Sequence, residues 1–525
     1  MAEIKIPRLL LYYFSFRHLL YVALLLAVTP FILSQKSQPE RTGKKKIELI
    51  YADDDYIVKD KKTWQEMHRF IGKVHLKHDE IIMWCDSAHY TPSLNQVIAF
   101  SKIHIQQGDT INLYGNYLFY DGKSEVALVK DNVELVNKET HLYTEAIDYD
   151  VKRRIARYNT GGRIINAKNT LTSIIGVYFV SDNLFHFKDS VKIVNPNYVM
   201  RADTMDYNSK TETSLFTGPT ELKGDSINLY SEKGWYDTKN DITSVWKKAM
   251  IDNRQQIIHG DSLYFNNKTG YGEAYRNVII EDTTNSLVIE GNFAWYTKRP
   301  EAFLITDRAV FVQVSKNDSL FLHGDTISAV TVFDSTLTGH RLMKAYHGCR
   351  IFSKGLQAKC DSLSYSFRDS VIRLYTSPVI WSDENQLTSD SMAVFTKNRQ
   401  TERLELYSNA FVTSQIDTVR FNQIKGRTLT GLFKNNELYK IDIRGNGESI
   451  YYLVEGIEIS GVNQTKSARI EILVNNGKIS DISEFQDPEG FIDPPDLKKQ
   501  KEGRLAGFIW LDNLRPKQKS DIFRK

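Results

Sequence analysis

The residues of this 525-residue chain best placed to do chemistry are carboxylates that recur in one phrase: a small residue or Cys, then Asp, then Ser or Thr. The phrase reads Cys85-Asp86-Ser87, Gly108-Asp109-Thr110, Ala202-Asp203-Thr204, Gly224-Asp225-Ser226, Gly260-Asp261-Ser262, Gly324-Asp325-Thr326, Cys360-Asp361-Ser362 and Ser389-Asp390-Ser391. Acids repeated along a groove could supply paired carboxylates for proton transfer, or oxygen ligands for a hard cation. The opposing reading is architectural: Asp followed by a hydroxyl residue bonds local backbone groups and organises a turn where each strand begins. Eight similar copies favour architecture, because catalysis needs one distinctive site.

Other candidates are weaker. His75, His78, Asp79 and Glu80 have metal-ligand side chains, but on a strand His75 and His78 point to opposite faces and do not converge on one ion. There is no phosphate loop, nucleophile elbow or zinc-protease helix motif, so neither an enzyme nor a cofactor is expected. The cysteines, Cys85, Cys349 and Cys360, are odd in number, which rules out a disulfide scaffold. Cys349 and Cys360 are near enough in sequence to bridge across a hairpin, while Cys85 and Cys360 share the small-residue slot of the phrase and suit buried apolar positions.

The elements that position these residues are strands. Behind the phrase, apolar side chains recur at every second position, as in Asp109-Thr-Ile111-Asn-Leu113 and Asp261-Ser-Leu263-Tyr-Phe265. Turn signals such as Asp121-Gly122-Lys123, Asn208-Ser209-Lys210 and Asn266 to Gly270 then reverse the chain into a second apolar run. Intervals between phrases are irregular, which disfavours a parallel β-helix and favours an antiparallel meander. Helical periodicity is scarce, with one short turn expected between residues 53 and 69. About forty strands, set in two facing layers at ~4.8 Å per strand, would make a rod on the order of 90 to 100 Å long. The near-balanced charge, 68 basic against 64 acidic residues, implies no nucleic-acid footprint.

At the N-terminus, Lys5, Arg8, Arg17 and His18 precede the apolar stretch Leu19 to Leu33, in the order of a secretory signal. Residues 1–34 are therefore expected to be a cleaved signal peptide or an uncleaved membrane anchor. The array is expected over 45–335, with 336–485 its continuation or a second domain. Residues 486–525 are Pro- and Lys-rich and are expected to form a loose or docking tail.

The unit Gly72-Lys-Val74-His-Leu76 followed by Cys85-Asp86-Ser87-Ala88-His-Tyr90, and the unit Ala202 to Tyr207 followed by Ser214 to Pro219, resemble the OstA-like repeat of the LptA family. The block Asp361 to Trp381, followed by Asn385 to Ser391, is similar to OstA-like proteins of the long Bacteroidetes type. The resemblance implies an all-β, solenoid-like antiparallel jellyroll, folded over like a taco, whose apolar interior cradles acyl chains. It also implies periplasmic transport of lipopolysaccharide toward the outer membrane. Its partners would be lipid A, an inner-membrane exporter and an outer-membrane barrel, with head-to-tail self-association at exposed sheet edges.

The residues behind each Asp then become the candidate site. Ile111, Leu113, Ile227, Leu229, Leu263, Phe265, Ile327, Leu363 and Tyr365 either fill a closed core or line a lipid groove, and both uses require the same residue types. A structural or adhesive β-array without lipid is the competing function.

Overall fold

In the computed structural model, residues 46–524 are described apart from residues 60–63, 495–502 and several one- or two-residue breaks. The candidate signal or anchor lies outside the described residues. No helix among the described residues is long and apolar enough to cross a membrane.

Forty strands, three short 3-10 turns and no α-helix make up the described chain. Among the described residues all strand pairings are antiparallel and join strands close in sequence, as in a meander. The short strands fall into consecutive pairs that share neighbours. Ile155–Tyr158 and Gly162–Asn166, for example, both pair with Thr140–Asp150 on one side and with the halves of the next strand on the other. Twelve such pairs are each one bent strand, so forty strands make twenty-eight rungs.

The bend runs through the middle of every rung, and it folds the sheet into two facing walls. Most even rungs supply it with residues of positive φ, commonly a dipeptide such as Ser101-Lys102, Asp131-Asn132, Lys247-Lys248, Arg276-Asn277 or Ser408-Asn409. Pairing register slips there, for example between Phe100 and Ile103 and between Tyr275 and Val278. Such a bulge turns the strand, and because the even rung gains an extra residue there it keeps its inward parity, Val97 and Ala99 before the bend and Ile103 and Ile105 after it, while the odd rung switches, from Leu113 to Leu118. The odd rungs supply a small residue on the inner side of the bend. From Gly115 this residue recurs every 29 positions, through Thr144, Ser173, Ala202 and Ser231 to Gly260.

Size matters at this position. A Cβ on Gly115 would lie 2.4 Å from Val129 Cγ1, and one on Gly426 would lie 2.4 Å from Ile443 Cγ2. Where the small residue is hydroxylated it satisfies the carbonyls that the bend leaves unpaired: Ser231 Oγ donates to Trp246 O at 2.8 Å, and Ser467 Oγ to Phe485 O at 2.7 Å.

Six of the eight Asp phrases sit at these bends, in mid-rung. Only Asp109 and Asp225 sit at hairpin tips, so the expectation that the phrase marks the start of each strand is corrected. Mixing the two kinds of position adds to the irregularity of the intervals, which also vary between bends, 36 from Asp325 to Asp361 and 29 from Asp361 to Asp390. The ladder of twenty-eight rungs, each contributing to both walls, runs for roughly 130 Å at ~4.8 Å per step, longer than two stacked layers of separate strands would give.

The turn residues read from the sequence occupy hairpin turns, where an Asp or Asn side chain accepts from the backbone two or three residues on. Asp121 Oδ1 takes Lys123 N–H and Asn266 Oδ1 takes Thr269 N–H. Among the described residues of 53–69 the expected helical turn is absent. Asp54–Lys59 pairs with Glu66–Ile71 as strand, since a single isolated helical turn does not compete with a ladder of backbone bonds. One continuous apolar cluster runs between the walls from Ile47 to Ile482. The ladder also passes unbroken across residue 335, Thr326–Phe333 pairing with Gly339–Tyr346.

Candidate functional site

The interior between the walls has two sections, and the nine candidate residues fall in both. All nine lie on the inner face. Ile111, Leu113, Leu229, Ile327 and Leu363 are buried in continuous core, and Ile227 and Tyr365 are partly buried against it. Ile227, Leu263 and Phe265 come together with Leu287, Ile289 and Phe311 around an apolar cavity of about 280 Å³, close to the lower limit of ordinary small-molecule pockets at ~300 Å³. Polar groups gather among its lining residues, including Gln256, Glu273 and the ion pair of Arg341 with Glu301 at 2.7 Å.

A column of tyrosines fills one section. Five residues after the small residue of each odd rung stands an aromatic ring: Tyr90, Tyr120, Tyr149, Tyr178, Tyr207 and Tyr236. Tyr120, Tyr149, Tyr178 and Tyr207 are fully buried and fill the interior. Burial raises their hydroxyl pKa values, and each hydroxyl has a polar partner. Tyr120 Oη meets His78 Nδ1 at 2.7 Å, Tyr149 donates to Gln107 Oε1, and Tyr178 and Tyr207 accept from Asn137 at 2.7 Å and Asn169 at 3.1 Å.

Past Tyr236 the column changes. The equivalent residues are Phe265, Tyr296 at 37% exposure, and Ala329. Gly272, Ala274, Ala294 and Ala302 stand nearby where larger side chains would close the space, and the cavity forms there. Sequence reasoning missed this column, although the spacing of about 29 residues between tyrosines would have exposed it.

Three of the repeated acids at the bends, Asp86, Asp261 and Asp390, bind the next rung. Ser101 Oγ donates to Asp86 Oδ2 at 2.6 Å, Asn277 Nδ2 to Asp261 Oδ1 at 3.1 Å, and Asn409 Nδ2 to both Asp390 oxygens at 3.1 Å. Each donor belongs to a positive-φ bulge. Glu232, in the same slot, holds Lys247 at 2.5 Å and Lys248 at 2.6 Å, and these bonds lower its pKa to about 2. The acids thus tie consecutive bends together and do not converge on a reacting centre. His75 stacks on Trp84 at 5.0 Å on the outer face while His78 is buried inside, so the two diverge as the alternation requires.

The C-terminal segment is docked on its own array. Gly503 to Arg524 runs back over the outer face of one wall, held by three buried glutamines. Gln423 Nε2 donates to Gly503 O at 2.9 Å, Gln386 Nε2 to Ile509 O at 2.7 Å, and Gln357 Oε1 accepts from Arg515 Nε at 2.7 Å. Gln423 and Gln386 also accept from Leu505 N and Leu511 N. Ile522 is buried against Val310 and Val312, with Phe321 and Phe352 alongside. Phe311, between those valines, lines the cavity on the other side of the sheet.

A folded antiparallel array around a two-section apolar interior defines an all-β, jellyroll-like fold. Residues 44–203 match the family model of OstA-like proteins, so that segment is similar to the OstA-like family. No curated protein matches the chain. The bent-rung unit continues beyond residue 203, with the small residue still at the bend in Gly291, Gly324, Cys360, Ser389, Gly426 and Ser467.

Proposed function

We propose that the chain is a non-enzymatic carrier of lipopolysaccharide or a related lipid on its way to the outer membrane, holding acyl chains in the central open section. The observation that carries this reading is the apolar cavity between the walls, lined by Ile227, Leu263 and Phe265 and continuous with the core. Each methylene moved from water into such a cavity contributes ~0.8 kcal/mol, a non-directional attraction that suits a cargo that must later leave. In the other section buried Tyr120, Tyr149, Tyr178 and Tyr207 fill the interior, and that section serves as a rigid extension.

Among the described residues, the first rung, Glu48–Tyr51 with Asp54–Lys59, pairs on one side only and exposes Leu49, Ile50, Tyr56 and Ile57. Strand addition there by a second copy or by another protein of the transport system would extend the sheet. A periplasmic location, by cleaved signal or retained anchor, follows from the same reading.

The test is to fill the cavity. Ala274→Trp and Ala294→Trp should abolish binding of a fluorescent fatty-acyl probe and of purified lipid A, while the same change at Ala127 in the closed section should damage folding. Undiminished lipid binding by folded A274W or A294W would overturn the cavity as the acyl site, and absence of lipid binding by the wild type would favour the structural, lipid-free reading.

A further inference from the structure

Cys349 and Cys360 are directly opposed residues of adjacent antiparallel strands. Both are buried, at 0% and 4% exposure, and their thiols are within hydrogen-bonding reach. They close the base of the hairpin formed by Cys349–Phe352 and Gln357–Cys360. Residues opposed in this way have Cα atoms ~4.5–5.5 Å apart, inside the ~4.4–6.8 Å range that a disulfide spans. Cys85 stands opposite Val74, with no cysteine facing it.

We propose that Cys349 and Cys360 form a disulfide when the chain folds under oxidising conditions, stapling the hairpin that anchors the C-terminal segment. Export bears only on where this happens. The outer face of the same hairpin carries Arg350, which donates to the Arg524 carbonyl, and Gln357, which holds Arg515. A covalent base therefore fixes two of the segment's anchors beside the cavity section.

The oxidant is a small-molecule or protein disulfide. One cysteine thiolate attacks it, forming a mixed disulfide and releasing one thiol. The second cysteine attacks the mixed disulfide, the Sγ–Sγ bond forms, and the oxidant leaves as two thiols that carry the two protons and two electrons. The hydrogen bond from Cys349 and burial both raise the Cys360 thiol well above its ordinary range. The folded thiol therefore reacts slowly, so the bond closes during folding and is afterwards sheltered from reductants.

The experiment is oxidative refolding of the purified full chain in a glutathione redox buffer, followed by denaturation, alkylation and peptide mapping. The expected result is a single cross-link, Cys349 to Cys360, with Cys85 alkylated. Reduction should also lower the midpoint of denaturant unfolding in the wild type and leave the C349A/C360A variant unmoved. Alkylation of all three cysteines, or a cross-link through Cys85, overturns the proposal. The same mapping on protein taken directly from the cell envelope tests the export reading separately: free thiols there, with the cross-link formed on refolding, would uphold the pairing and count against an oxidising location.

Discussion

Single residues set the bend, and their effects should be separable. Gly115→Val would drive a β-branched side chain into Val129, whose Cγ1 lies 2.4 Å from the added Cβ. Overpacking of this kind costs ~1–3 kcal/mol, read as a lower midpoint in urea unfolding. Tyr149→Phe leaves the ring in place but strands the buried Gln107 amide oxygen. An unpartnered buried acceptor costs about 1–3 kcal/mol. The acids at the bends behave differently. Ser101 holds Asp86 below the ordinary carboxylate range, and the two lysines hold Glu232 near 2. Groups whose pKa is depressed on folding contribute stability that is present above their unfolded values, ~4, and lost as pH falls toward 2. The wild type should therefore lose stability over that window more steeply than Glu232→Gln, measured by chemical denaturation at stepped pH. Both side chains are solvent-screened, so the difference should be small.

At the scale of elements, the docked C-terminal segment is the part whose removal should have the most local effect. A chain ending at residue 502 exposes the apolar outer face of Val310, Val312, Phe321 and Phe352. Hydrogen exchange should accelerate in strands 310–313, 320–323, 349–352 and 379–388 and stay unchanged in 66–216. The composition of residues 486–525, rich in Lys and Pro near its start, reads as a loose or docking tail. Its anchoring depends on Gln357, Gln386 and Gln423, which lie far away in sequence and carry no local signal. The strands themselves were legible, because alternation and Asx turns are local properties. The bends were not, because positive-φ pairs as different as Ser101-Lys102 and Arg276-Asn277 share a backbone shape without sharing residue types. Gly108-Asp109-Thr110 and Gly224-Asp225-Ser226 carry the same residues at hairpin tips and mask the period of 29.

At the scale of the whole array, one repeating unit gives two interiors. Where a tyrosine follows each bend the walls are filled, and where Phe265, Ala274, Ala294 and Ala329 take the inner positions they leave a cavity. No reading of alternation alone separates these, because a dry core and an acyl-chain trough call for the same apolar residues. The difference lies in side-chain volume summed over neighbouring rungs, which only the register reveals.

The most direct measurement is a photocrosslinking scan along the inner face, with a photoreactive residue placed in turn at Leu113, Tyr149, Tyr207, Phe265, Leu287 and Ile289 and at the non-core position Asn228, in protein loaded with lipid A. The account predicts labelling at Phe265, Leu287 and Ile289 and none at Leu113, Tyr149, Tyr207 or Asn228. Equal labelling at Asn228 and Phe265, or labelling confined to the tyrosine-filled section, would contradict it.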